Sequence, residues 1–192
     1  MMREPLPTLL RPLRAALATA ALAAGAAAQA ADPSLLHPST VFTQAGAAEH
    51  ASAVVVGATW NSGWEDTWRI GDASVYWEAS IGRWTATHDA TNSSGLVTQF
   101  GITPVLRVEP GDGSRWFFEA GIGLNVLTPI YQNGDKRFST AFNFGDHLAV
   151  GRHFGPDDRH ELALRLQHFS NGGIRRPNPG EDFLQLRYSV RL

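Results

Sequence analysis

The chain contains no cysteine, so neither a disulfide nor a thiolate-bound metal holds it together, and its stability must come from the fold and its surroundings. After its first thirty residues it also lacks any long apolar run: nothing approaches the roughly 18 residues that a membrane-crossing helix needs. Charge of one sign is missing as well. With 16 Lys and Arg against 18 Asp and Glu, a formal net charge of −2, there is no basic stripe for a nucleic acid to bind, and that partner is set aside. His37, His50, His88, His153 and His160 are scattered without metal-ligand spacing, so no metal site is expected.

What is present begins with an address. Arg3, Arg11 and Arg14 form a positive leader, residues 15–28 are rich in Ala and Leu, and Ala28-Gln29-Ala30 is a small-x-small cleavage site. Residues 1–30 are therefore expected to be a Sec signal peptide. The remaining 31–192, about 160 residues, fit one domain.

That domain reads as all-β. Ala73, Val75, Trp77, Ala79 and Ile81 alternate with Ser74, Tyr76, Glu78, Ser80 and Gly82, and Trp116, Phe118, Ala120, Ile122, Leu124 and Val126 alternate in the same way. A third run joins Phe138, Phe142, Phe144, Leu148 and Val150. Further strands are expected over 53–60, 96–108, 161–170 and 183–192, and a short one over 64–71 brings the number to eight. Asn92-Ser93-Ser94-Gly95, Glu109-Pro110-Gly111-Asp112-Gly113, Asn133-Gly134-Asp135 and Gly155-Pro156-Asp157-Asp158 punctuate them as turns.

An up-and-down meander of this kind closes either as a soluble lipocalin-like barrel, apolar inside, or as a membrane barrel, apolar outside. Glu78, Glu119, Asn125, Gln185, Arg187 and Arg191 suit the polar interior of a narrow membrane barrel, and Trp60, Trp64, Trp84 and Trp116 lie near strand ends. The expected fold is thus an eight-stranded antiparallel up-and-down transmembrane β-barrel of the outer-membrane type.

The chemistry lies near the C-terminus. Leu162, Leu164, Leu166, His168 and Ser170 share one face of a strand, so an imidazole and a hydroxyl stand on the oily side. Alone, a His and a Ser ahead of an Asn-Gly-Gly turn are more often turn formers than catalysts. The wider segment changes that reading. Over Gln167-His168-Phe169-Ser170-Asn171-Gly172-Gly173-Ile174 and Pro177-Asn178-Pro179-Gly180-Glu181-Asp182 the chain resembles the lipid A 3-O-deacylase family, PagL, most specifically at His-x-Ser-Asn. The resemblance implies an outer-membrane barrel that hydrolyses the ester of the acyl chain at the 3-position of lipid A, without a cofactor. Its partners are then lipid A or lipopolysaccharide and the lipid of the outer membrane, with a homodimer left open. The family's His and Ser fall on His168 and Ser170.

A serine attacks an ester when a neighbouring base takes its proton, and His168 can be that base. An acid should hold the imidazole in the right tautomer. The family places a Glu twelve residues after the Ser; an ungapped count from Ser170 reaches Asp182, while Glu181 has the family's residue type one position early. Parity favours Asp182, which shares even numbering with Leu184, Leu186, Tyr188 and Val190, but turn geometry leaves Glu181 open. Backbone amides at Asn171 and Gly173 are the oxyanion-hole candidates. Arg175 and Arg176 could meet lipid A phosphates, and Phe142 and Phe144 could line an acyl groove. His147 beside Asp146 reads as an interior or rim pair. The competing readings are a non-enzymatic small outer-membrane barrel and a periplasmic lipid-binding barrel.

Overall fold

The computed structural model of the protein describes residues 37–49, 51–86, 94–111 and 113–192. The expected signal peptide, His50, His88 and the tip of the 89–95 loop lie outside the described residues.

Eight strands close into an antiparallel barrel. They are β1 (Thr40–Ala47), β2 (Ala51–Trp68), β3 (Gly71–Ala86), β4 (Leu96–Glu109), β5 (Trp116–Thr128), β8 (Phe142–Phe154), β9 (His160–Ser170) and β10 (Glu181–Arg191). Each pairs with its neighbour in sequence, and β1 pairs with β10 to complete the ring, so no edge is left over their paired lengths. A two-stranded ribbon, β6 (Gln132–Asn133) and β7 (Lys136–Arg137), stands in the connection between β5 and β8. The connections from β3 to β4, from β5 to β8 and from β9 to β10 are the long ones and leave one end of the barrel; those from β2 to β3, from β4 to β5 and from β8 to β9 leave the other.

The barrel is inside-out relative to a soluble one. Along β9 and β10, Glu161, Arg165, Gln167, Gln185 and Arg187 are buried, while Leu164, Leu166, Leu184 and Leu186 are exposed; Arg165 is 1% accessible and Leu166 beside it 63%. Val54, Ile81, Phe100, Ile102, Phe118, Leu124 and Leu148 extend the apolar wall around the molecule. An apolar surface this continuous is stable only in hydrocarbon, which excludes the soluble lipocalin-like arrangement.

A polar lumen in such a medium must satisfy itself. Arg107 bonds to Glu119 at 2.6 Å and to Glu161 at 2.8 Å. Glu78 receives both Arg165, at 3.1 and 3.2 Å, and Arg187. Each buried charge thus faces an opposite one, without which burial would cost several kcal/mol per ion. On the turn side of this network opens a polar vestibule of about 750 Å³, lined by Arg107, His153, Glu161 and Arg191 among others. Towards the long connections the lumen becomes apolar: Ala51, Ala53, Trp84, Val97, Leu127, Tyr131, Phe138, Phe169 and Phe183 fill it.

Three expectations are corrected. The segment 64–71 is no separate strand; it continues 53–60 through an irregularity between Asn61 and Glu65 within β2. The eighth strand is instead β1, whose inward Thr40, Phe42 and Gln44 and outward Val41, Thr43 and Ala45 give neither face a purely apolar character. Trp84 is no interfacial aromatic: it is fully buried in the lumen, donating to Gln99 Oε1 at 2.9 Å. Arg191, read as interior, lies exposed at the turn end and donates to the carbonyls of Asp157 and Asp158.

Candidate active site

The last two strands place the reactive side chains. Alternation leaves Glu161, Ala163, Arg165, Gln167 and Phe169 of β9 inside, so His168 and Ser170 emerge outside with the leucines. On β10 the inward set is Glu181, Phe183, Gln185, Arg187 and Ser189, and Asp182 is outward. The β9–β10 register sets Asp182 opposite His168, and His168 Nδ1 lies 2.6 Å from Asp182 Oδ1. Nδ1–H donating to the carboxylate leaves Nε2 as the basic nitrogen.

Ser170 stands two residues beyond His168 on the same face, roughly 7 Å away at Cα. Its hydroxyl oxygen is 3.4 Å from the Gly172 amide. The imidazole and hydroxyl are not bonded to each other: His168 is held by Asp182, and Ser170 by the turn amide. Gly180 makes room for the ring: a Cβ there would lie 2.7 Å from His168 Cε1, and its φ of +71° is one that side-chain-bearing residues avoid.

Glu181 is elsewhere. It is 3% accessible inside the lumen, where it accepts from Tyr131 Oη at 2.7 Å and Lys136 Nζ at 3.0 Å. Its carboxylate and that of Asp182 thus project to opposite sides of one strand.

Asn171 is the hub of the connection that follows. Its amide nitrogen donates to the Arg175 carbonyl at 2.7 Å and to Ser139 Oγ at 3.0 Å, while its Oδ1 accepts from Gly173 N–H at 2.9 Å. Its own N–H donates to Asn178 Oδ1 at 2.9 Å. Both expected oxyanion donors are therefore engaged within the loop, and Gly172 N–H is the amide that faces Ser170. Arg175 and Arg176 carry exposed side chains in the same loop.

On the other flank, β8 pairs with β9 so that Phe144 lies opposite Ser170 and Asp146 opposite His168. Phe142 and Phe144 meet edge to face at 5.2 Å, beside the serine. Asp146, read with His147 as one pair, is separated from it by the strand: His147 is buried in the lumen and Asp146 is on the outer wall, flanking the imidazole from the side opposite Asp182. Only the β8–β9 register could have revealed this, because 22 positions (168 − 146) separate Asp146 from His168. Among the described residues no group of His, Asp and Glu is arranged to hold a metal ion.

Comparison with known proteins bears on the family and the fold. The chain is 41% identical to the lipid A deacylase PagL of Bordetella bronchiseptica, over 54% of this chain and 56% of that one, so the matched part spans little more than half of that relative. It is 29% identical to the lipid A deacylase PagL of Pseudomonas aeruginosa, over 71% of this chain and 76% of that one. The crystal structure of the outer membrane enzyme PagL superposes with a TM-score of 0.69 at 25% identity, covering 80% of this chain and 99% of that one. The profile of the family described as lipid A 3-O-deacylase (PagL) matches residues 53–191, and the chain belongs to that family.

Proposed function

We propose that the chain is an outer-membrane serine esterase that removes the ester-linked acyl chain at the 3-position of lipid A, exported by residues 1–30 and acting as a single barrel domain over 31–192. The observation that carries this reading is the His168–Asp182 pair at 2.6 Å, next to Ser170 on the lipid-facing wall of a barrel whose relatives are lipid A deacylases. A site that opens sideways into the bilayer meets an acyl ester without extracting it into water.

In this mechanism Ser170 Oγ attacks the ester carbonyl while His168 Nε2 takes its proton. Asp182, bound at Nδ1, fixes the tautomer and stabilises the imidazolium. The oxyanion is met by amides of the turn: Gly172 as it stands, Asn171 and Gly173 once the side chains of Asn178 and Asn171 yield them. His168 then protonates the departing sugar 3-oxygen. Water, activated by the same imidazole, attacks the acyl-serine and releases a free fatty acid. Phe142 and Phe144 form the side of the groove in which the acyl chain lies, and Arg175 and Arg176 meet the phosphates at headgroup level.

Mass spectrometry of lipid A tests this, from a Gram-negative host expressing the wild type or Ser170→Ala at matched levels of folded barrel. One 3-hydroxyacyl unit is lost with the wild type and retained with the variant. Equal lipid A profiles, together with an inactive wild-type protein in detergent, would leave a barrel without this activity.

A further inference from the structure

Glu181 poses a question that the reaction does not answer. A carboxylate buried beside the aromatic filling of the lumen costs several kcal/mol unless donors compensate it, and an apolar side chain would seal that end equally well. Both donors that compensate it come from one segment, the 129–141 connection: Tyr131 at 2.7 Å and Lys136, the only lysine in the sequence, at 3.0 Å.

That connection is itself fastened into the barrel. Tyr131 packs edge to face on Trp84 at 5.5 Å and on Phe138 at 5.1 Å, receives Asn133 Nδ2 at 3.2 Å, and its carbonyl accepts Phe138 N–H at 3.0 Å. Trp84 in turn touches Phe169 at 4.7 Å and Phe183 at 4.8 Å. These inward residues alternate with the outward reactive ones: Phe169 lies between His168 and Ser170, and Asp182 lies between Glu181 and Phe183. Glu181 is the first residue of β10, paired with Phe169. Strand ends open most readily, and the Asp182 side chain is 85% accessible, with the imidazole as its bonded partner. Burial and the bond to Glu181 together hold the Tyr131 hydroxyl well above its ordinary pKa, so it remains a donor.

We propose, resting on the esterase reading above, that Glu181 is a positioning residue: clasped by Tyr131 and Lys136 from the 129–141 connection, it pins the start of β10 and thereby holds the Asp182 carboxylate at His168.

The test uses the full barrel refolded in detergent, with deacylation of purified lipid A resolved into kcat and KM, and folding checked by heat-modifiable gel mobility. Because a misplacement of about 1 Å can cost on the order of 10²-fold in rate, partial release of the strand end is expected to lower kcat about tenfold in Glu181→Gln and in Lys136→Met. KM stays within about twofold, and Lys136→Arg restores the rate. Acetylation of Lys136 in the wild type reproduces the loss. Should Glu181→Gln not refold, the Lys136→Met and Lys136→Arg pair, altered at a partly exposed side chain, decides the same question.

Wild-type kcat in folded Lys136→Met and Glu181→Gln would overturn the proposal. So would a Glu181→Gln loss as deep as that of Ser170→Ala alongside an active Asp182→Asn, which would make Glu181 the acid itself. An active Ser170→Ala would instead remove the esterase reading beneath it, an outcome visible without any Glu181 variant.

Discussion

His168 and Asp182 are directly opposed across the β9–β10 pair, and their side chains meet at 2.6 Å on the outer wall of the barrel. Carboxylate and imidazole are thus brought together by backbone register and not by a flexible loop, at the end of the ladder where Glu181 is proposed to hold β10. Asp182→Asn keeps the shape but can present an amide N–H to Nδ1 and so favour the wrong tautomer. Deacylation by the refolded enzyme is expected to fall about 10⁴-fold, with folding unchanged. Activity within tenfold of wild type would show that another group orients the imidazole.

Gly180 combines a left-handed backbone with a position where a Cβ would lie 2.7 Å from His168 Cε1. Gly180→Ala is expected to lower stability by about 1–2 kcal/mol through the backbone alone. It should also push the His168 ring from its place, lowering kcat more than a stability loss of that size explains in a barrel that remains folded. Comparing the urea midpoint with kcat separates the two effects.

The lumen network predicts a different kind of loss. Glu78→Ala leaves Arg165 and Arg187 buried with one fewer anion between them, at an expected cost of about 3–5 kcal/mol. Unfolding in urea, followed by tryptophan fluorescence in lipid vesicles, measures it. Ser170 lies beyond the aromatic filling, so kcat in the folded fraction should be unchanged.

Leu186 is 54% accessible on the outer wall. Leu186→Arg is expected to destabilise the vesicle-embedded barrel by about 2–4 kcal/mol, as a cation on the lipid face near the bilayer midplane does. In detergent the loss should be smaller, because a micelle deforms around a charge more easily than a bilayer.

Much of this was legible in the residues. Two-residue periodicity in 116–126 and 161–170 marked strands, and the company of Leu162, Leu164 and Leu166 put His168 and Ser170 on the apolar side, where the structure has them. Parity favoured Asp182 over Glu181 but left Glu181 open, and the β9–β10 register then set Asp182 opposite His168. β1 escaped because its inward positions pair Phe42 with Gln44 and Thr40, a mixture that suits a polar lumen but gives no alternation to detect. Trp84 was misplaced because an aromatic near a strand end reads as an interfacial anchor, and only the inward residues of neighbouring strands show that the lumen has an apolar end to receive it. Asp146 and the Tyr131–Lys136 clasp depend on which strands are neighbours in space, information that no local spacing carries.

Behind the vestibule lie first the Glu78–Arg165–Arg187 network and then the packed rings around Trp84. Among the described residues the lumen is therefore occupied by side chains beyond the vestibule. Planar bilayers containing it are expected to show no ion conductance, so the proposed esterase would remodel surface lipid without opening a leak in the permeability barrier.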